Sequence, residues 1–294
     1  MALRMIAAAA SAAAYPVIPP TSNFSRLLSK PLFFQAPKTT PRSRIRRELK
    51  ATVMFSDNVV VSDLIATGLS GCVALSLLKI WEQTADRRIF DQKLNRKLVH
   101  VTVGLAFMLC WPMFSSGRQG AIFAALIPSA NIIRMLLMGL GILKDDATVK
   151  SMTRFGDHRE LLQGPLYYAS TITLACAVCW RTSPIAVAAV CNLCAGDGMA
   201  DIVGRHFGRQ KLPYNQNKSI IGSIAMASAG FLASIGYGLY FSWLGYMELS
   251  LRMVVGFLVV SVAAALVESH PLSTKLDDNL TVPLAAVLVG SLVL

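Results

Sequence analysis

The sequence predicts an all-α integral membrane protein, with seven or eight transmembrane helices behind an N-terminal transit peptide. Three observations predict it. Hydrophobic residues make up 54% of the 294-residue chain, charged residues 15%, and the mean hydropathy is +0.53, whereas a soluble domain carries about 25% charged residues. Apolar runs of membrane length recur from residue 58 to the C-terminus. The first fifty residues differ in composition, with nine Lys/Arg against one acid, Glu48.

That N-terminal region contains MALRMIAAAASAAAYP, SNFSRLLSK and TTPRSRIRRELKA. Being rich in Ala, Ser, Thr, Pro and Arg and nearly free of acids, it reads as an organelle transit peptide over residues 1–51, its Ser and Pro favouring plastid over mitochondrion. Processing is expected near residues 46–55. A secretory signal is the rival for the apolar run 5–14, but the long Arg-rich stretch beyond it argues against that. Most of the net charge of +12 sits here. No concentrated basic face exists elsewhere, so a nucleic-acid partner is excluded.

The remaining residues, 52–294, form one polytopic unit. Its apolar segments run about 58–81, 98–117, 120–143, 165–181, 184–204, 219–245, 251–268 and 280–294. The fourth and last are short, so the count is seven or eight. Pro112, Pro128 and Pro184 interrupt or begin segments, as membrane helices tolerate. The loops alternate in charge. Loops 82–97, 144–164 and 205–218 carry five, four and four Lys/Arg, while the opposite connections carry one each, Arg118, Arg181 and Arg252. The asymmetry places the charged loops on the cytosol-equivalent side, which in a plastid is the stroma. Arg96-Lys97, His100, Arg159-Glu160, Glu268 and Asp277-Asp278-Asn279 all fall toward that side, so one site is expected there.

Its centre is CNLCAGDGMADIVGRHFGRQKLPYNQNKSIIGS, residues 191–223. Asp197 and Asp201 stand four apart, one turn on one helix face, where two carboxylates can hold Mg²⁺. Acids at the end of a membrane-length segment read as functional by default. Gly196, Gly198, Gly204 and Gly208 allow close backbone approach to a ligand. Lys211 and Lys218-Ser219 precede a helix start whose amides, near Gly222, favour anions. This reads as a phosphate and metal site, though no GxxxxGK[ST] loop occurs. Asn131 and Arg134 interrupt the third segment; Arg134 reads equally as a phosphate ligand or as a structural partner of an acid. His100 reads more readily as a hydrogen-bonded helix-end residue than as a base. Cys176-x-x-Cys179 and Cys191-x-x-Cys194 imitate a zinc site, but each lies inside an apolar segment, where Cys acts as a small hydrophobe.

RKLVH (96–100), LCWPMFSSG (109–117), ELLQGPLYY (160–168), the GDGMADIVGRHFG run (196–208), KLPYNQNKSIIGSIA (211–225), ALVESHP (265–271) and LDDNLTVPLA (276–285) together resemble the polyprenol kinase family, in particular plant plastid phytol and farnesol kinases. The resemblance implies phosphoryl transfer from a nucleoside triphosphate, commonly CTP, to an isoprenoid alcohol in a chloroplast membrane. For phytol the product would feed tocopherol synthesis. It further implies Asp197 and Asp201 as Mg²⁺ ligands, one doubling as base, and Lys211, Lys218 and the amides near Ser219 and Gly222 as phosphate ligands. Asp277, Asp278 and Asn279 would complete metal or ribose contacts, and Arg96 and Lys97 would receive transition-state charge. A CTP-dependent lipid cytidylyltransferase is the rival enzyme and a transporter a distant third. A prenyltransferase would want repeated aspartate-rich motifs, and a CDP-alcohol phosphotransferase more aspartates soon after Asp201.

Overall fold

A computed structural model describes residues 54–294; the expected transit peptide lies outside the described residues. Each predicted apolar segment forms a helix. In chain order these are α1 (Val59–Asp86), α2 (Gln92–Leu109), α3 (Arg118–Gly139), a short α4 (Asp146–Met152), α5 (Gly164–Leu174), α6 (Pro184–Cys191) and α7 (Asp197–Phe207). A hairpin of β1 (Lys211–Leu212) and β2 (Asn215–Ser219) follows, then α8 (Ile220–Trp243), α9 (Leu251–Ser269), α10 (Pro271–Leu276) and α11 (Asp278–Val293).

Among the described residues, five helical stretches are long and apolar enough to cross a membrane: α1, α3, the continuous Pro184–Phe207 rod, α8 and α9. The expectation of seven or eight spans is not confirmed on that measure. α2 opens with the polar QKLNRK, α5 is short before it passes into a π-helical turn at Ala175–Cys179, and α11 is a shorter apolar helix.

The rod of α6 and α7 is the axis of the bundle, and its apolar window is mostly buried inside the protein. α9 packs against both α8 and α11 around it, while α1, α2, α3 and α5 form the other half. Trp111, Phe114, Val187, Cys191, Phe241 and Phe257 fill the main core. Outward-facing Leu232, Leu239, Val255, Leu258 and Leu266 stay exposed, as lipid-facing positions require. Arg181, read from sequence as a lone loop charge, is buried and donates to the carbonyls of Trp111 and Phe114. Arg134 takes its structural alternative: its guanidinium lies 2.7 Å from Asp145 Oδ2 and 2.6 Å from Thr148 Oγ1.

Candidate active site

The α6–α7 rod contains a π-helical turn at Asn192–Gly196, immediately before Asp197. There the Asp197 amide donates to the Asn192 carbonyl, five residues back, and the carbonyl of Leu193 is taken instead by His100 Nε2 at 2.7 Å. A carbonyl only accepts, so Nε2 carries the proton and His100 is a positioning group for the turn at that nitrogen. Such turns widen the helix and recur at functional sites. This one aims the buried Asp197 at α2, where Lys97 Nζ lies 2.6 Å from Oδ2 and His100 Nε2 lies 3.3 Å from it. Asp197 Oδ1 is buried with no hydrogen-bond partner.

Two further acids meet Asp197. Glu268, buried at the end of α9, and Asp278, at the start of α11, place carboxylate oxygens so that one from each of the three lies within 4.8 Å of the others. Among the described residues this is the group of three or more acidic, His or Cys side chains able to share an ion. Three hard oxygen donors suit Mg²⁺, and the orphaned Asp197 Oδ1 is a ligand atom in waiting. Asp201, the expected companion of Asp197, is not in the trio. One turn farther along α7 it is half-exposed and bound by Arg205 at 2.6 Å, itself four residues on. Asp277 holds φ at 75° and caps α11 by accepting from the Asn279 amide at 3.0 Å. Backbone held outside the common regions clusters at functional sites; here it turns Asp278 toward Lys218 while the Oδ1 of buried Asn279 is left unpartnered.

The basic stretch read as a loop is the β1–β2 hairpin, with Lys211 paired to Ser219. Tyr214 and Asn215 at its turn fasten it to Ser269. It delivers Lys218 to the acids: Nζ is bonded to Glu268 and lies 3.6 Å from Asp278. Burial alone lowers the Lys218 pKa, but Glu268, Asp278 and Asp197 outweigh it and hold the ammonium above the ordinary lysine range. Lys218 is thus a permanent cation in the cluster.

Glu268, Asp278 and Lys218 line one cavity of about 850 Å³, together with Arg96, Lys97, Arg154, Asp201 and exposed Lys211, while Asp197 lies buried behind Lys97. A second cavity, of about 550 Å³ and mainly apolar, opens among α1, α2, α3 and α5; Arg96 lines both. Several expected contributions differ from the sequence reading. Gly196 and Gly198 back onto α8 and α2, where a Cβ would press on Met226 and Val101, so they serve helix packing. Gly204 and Gly222 border the polar cavity but also face each other closely. Two of the helix-start amides are already used, since the Gly222 amide donates to Ser219 Oγ and the Ile220 amide to the Gln210 carbonyl. Asp277 faces the polar cavity and Asn279 the apolar one. Glu268 was visible in sequence as an acid ending an apolar segment, but no spacing joined it to Asp197.

No protein-family model matches the chain, and no solved structure matches it. Curated relatives do. A probable chloroplastic phytol kinase 3 of Glycine max is 65% identical over 243 residues, covering 83% of this chain and 76% of the relative. The chloroplastic farnesol kinase of Arabidopsis thaliana is 59% identical over 259 residues, 88% of this chain and 84% of its own. Phytol kinase 1 of Arabidopsis thaliana, also chloroplastic, is 39% identical over 272 residues, with 90% and 88% covered. With identities this high over most of both chains, the protein belongs to the family of plant chloroplast phytol and farnesol kinases.

Proposed function

We propose that this enzyme transfers the terminal phosphoryl group of a nucleoside triphosphate, with CTP as donor, to the hydroxyl of phytol, farnesol or geranylgeraniol. It would do so in a chloroplast membrane, with the polar cavity on the stromal side, in isoprenoid salvage and tocopherol synthesis. The observation that carries the reading is the meeting of Asp197 with Glu268 and Asp278, beside a cavity that Glu268, Asp278, Lys97, Lys218 and Arg96 line. The names of the relatives support the acceptor class.

Phosphoryl transfer is governed by positioning and charge stabilisation. Asp197, Glu268 and Asp278 would hold Mg²⁺, which when bound would supply charge to neutralise the phosphates. Lys218, Lys211 and Arg96 supply positive charge to the triphosphate, and Lys97 holds Asp197 in place through its 2.6 Å bond. The alcohol oxygen forms a bond to the γ-phosphorus as the bond from that phosphorus to the bridging oxygen breaks. The nucleoside diphosphate leaves, and the hydroxyl proton passes to a carboxylate of the cluster. The test is transfer from γ- and α-labelled CTP to the three alcohols, using membranes containing the full chain. Label on the alcohol from the γ-position alone is expected. Label entering lipid from the α-position would establish nucleotidyl transfer instead.

A further inference from the structure

We infer that the apolar cavity among α1, α2, α3 and α5 holds the isoprenoid chain of the acceptor, hydroxyl toward Arg96, and that α1 measures its length. The inference rests on the proposed function and extends it to a substrate subsite. Along α2 the cavity is lined from Arg96 through Val99, His100 and Val103 to Phe107, a rise of roughly 16 Å. Its volume of about 550 Å³ suits a small-molecule site. Arg96 and the unpartnered Asn279 Oδ1 mark its polar end. Since Arg96 also lines the charged cavity, a hydroxyl placed there meets the phosphates while its chain stays in apolar surroundings. A soluble substrate would have no use for such a lining.

Antiparallel packing gives α1 its direction. Trp81 Nε1 bonds Thr102 near the polar end, and Leu78 clusters with Val99, while Ala66 lies in the same core as Phe107. Leu78, Gly71 and Gly68 therefore step away from Arg96. Both glycines line the cavity, and a Cβ on either would meet nothing within 4 Å, so a side chain can start there without displacing protein.

The full chain is reconstituted in phosphatidylcholine nanodiscs as wild type, Gly68→Leu and Gly71→Leu. Acceptors are geraniol, farnesol and geranylgeraniol, and a diazirine-bearing farnesol serves as probe. Gly71→Leu is expected to raise KM for farnesol and geranylgeraniol about tenfold or more, since loss of apolar fit carries that order of discrimination. Gly68→Leu is expected to penalise geranylgeraniol about tenfold relative to geraniol. Neither should move the nucleotide KM by more than about twofold, as neither glycine lines the polar cavity. The probe should label residues 67–78 and 126–134, with competition by unlabelled farnesol. An unchanged chain-length profile in both variants would overturn the inference. So would labelling outside α1, α2, α3 and α5, or labelling that farnesol does not displace because a bilayer chain fills the cavity. If no alcohol accepts phosphate, the proposed function fails, while competed labelling of the cavity still upholds the subsite.

Discussion

Asp197 gives one carboxylate oxygen to Lys97 and keeps the other buried and unpartnered, so a substitution there removes both an ion-pair partner and a ligand atom. Breaking one side of a buried pair costs about 3–5 kcal/mol. Asp197→Asn should therefore lower the unfolding temperature in detergent as well as cutting turnover by roughly 100-fold or more. Adding Lys97→Met should recover stability without recovering turnover; recovery of both would make Asp197 merely structural. Glu268→Gln should cut turnover by a comparable roughly 100-fold, whereas Asp201→Asn should change it by less than about tenfold, because its i,i+4 pair with Arg205 is half-exposed and weak. The comparison in matched membranes decides between the trio and the sequence-adjacent pair. Helical spacing placed Asp197 and Asp201 together, yet spacing also places Arg205 beside Asp201, and it is silent on Glu268, which arrives from another helix. Lys218 adds a pH signature. Its folded pKa is raised, so its contribution to stability is complete below the unfolded lysine value of about 10.4 and is lost as pH rises through the folded value. The difference in unfolding temperature between wild type and Lys218→Met should stay constant from about pH 6 to 9 and close only under stronger alkali.

At the scale of elements, the acids are aimed by the junction of α7 with α2 and by the hairpin. The junction is narrow because Gly198 lets α7 lie against Val101. Gly198→Ala should destabilise the protein by about 1–3 kcal/mol, and Val101→Ala should relieve much of that, as thermal unfolding of the single and double variants would show. Failure of the second change to rescue would place the cost elsewhere. The glycines were conspicuous in the sequence, but one chain does not reveal which face each turns. Those read as ligand cradles proved partly to be helix contacts. Apolar runs marked every helix but the short α4 and α10, because hydropathy is a local property. The π-helical turns, which shift register by one residue, and the hairpin carrying Lys218 escaped because long-range contacts set them: His100 on Leu193, Tyr214 and Asn215 on Ser269.

At the scale of the whole molecule, the sequence reading expected Arg96-Lys97, Arg159-Glu160, the central motif, Glu268 and Asp277-Asp278-Asn279 to gather at one end; Arg96, Lys97, Lys218, Glu268, Asp277 and Asp278 border the polar cavity and Asn279 the apolar one, whereas Arg159 and Glu160 line neither. The apolar cavity was not legible, since its walls come from four helices whose residues resemble any other membrane-facing surface. Arg96 is where the two spaces meet, which makes it a test of how the halves of the bundle cooperate. A residue that only bound nucleotide would alter one KM, as Lys211→Gln should, given that Lys211 lines the polar cavity alone. Arg96→Met should instead raise KM for alcohol and nucleotide together and lower kcat/KM by roughly 100-fold or more, because a cation stabilising transferred charge acts chiefly in the transition state. Steady-state kinetics with each substrate varied in turn would separate the cases. An Arg96→Met enzyme with an unchanged alcohol KM would mean that the acceptor reaches the phosphates by another route, and that the two cavities are neighbours without being one path.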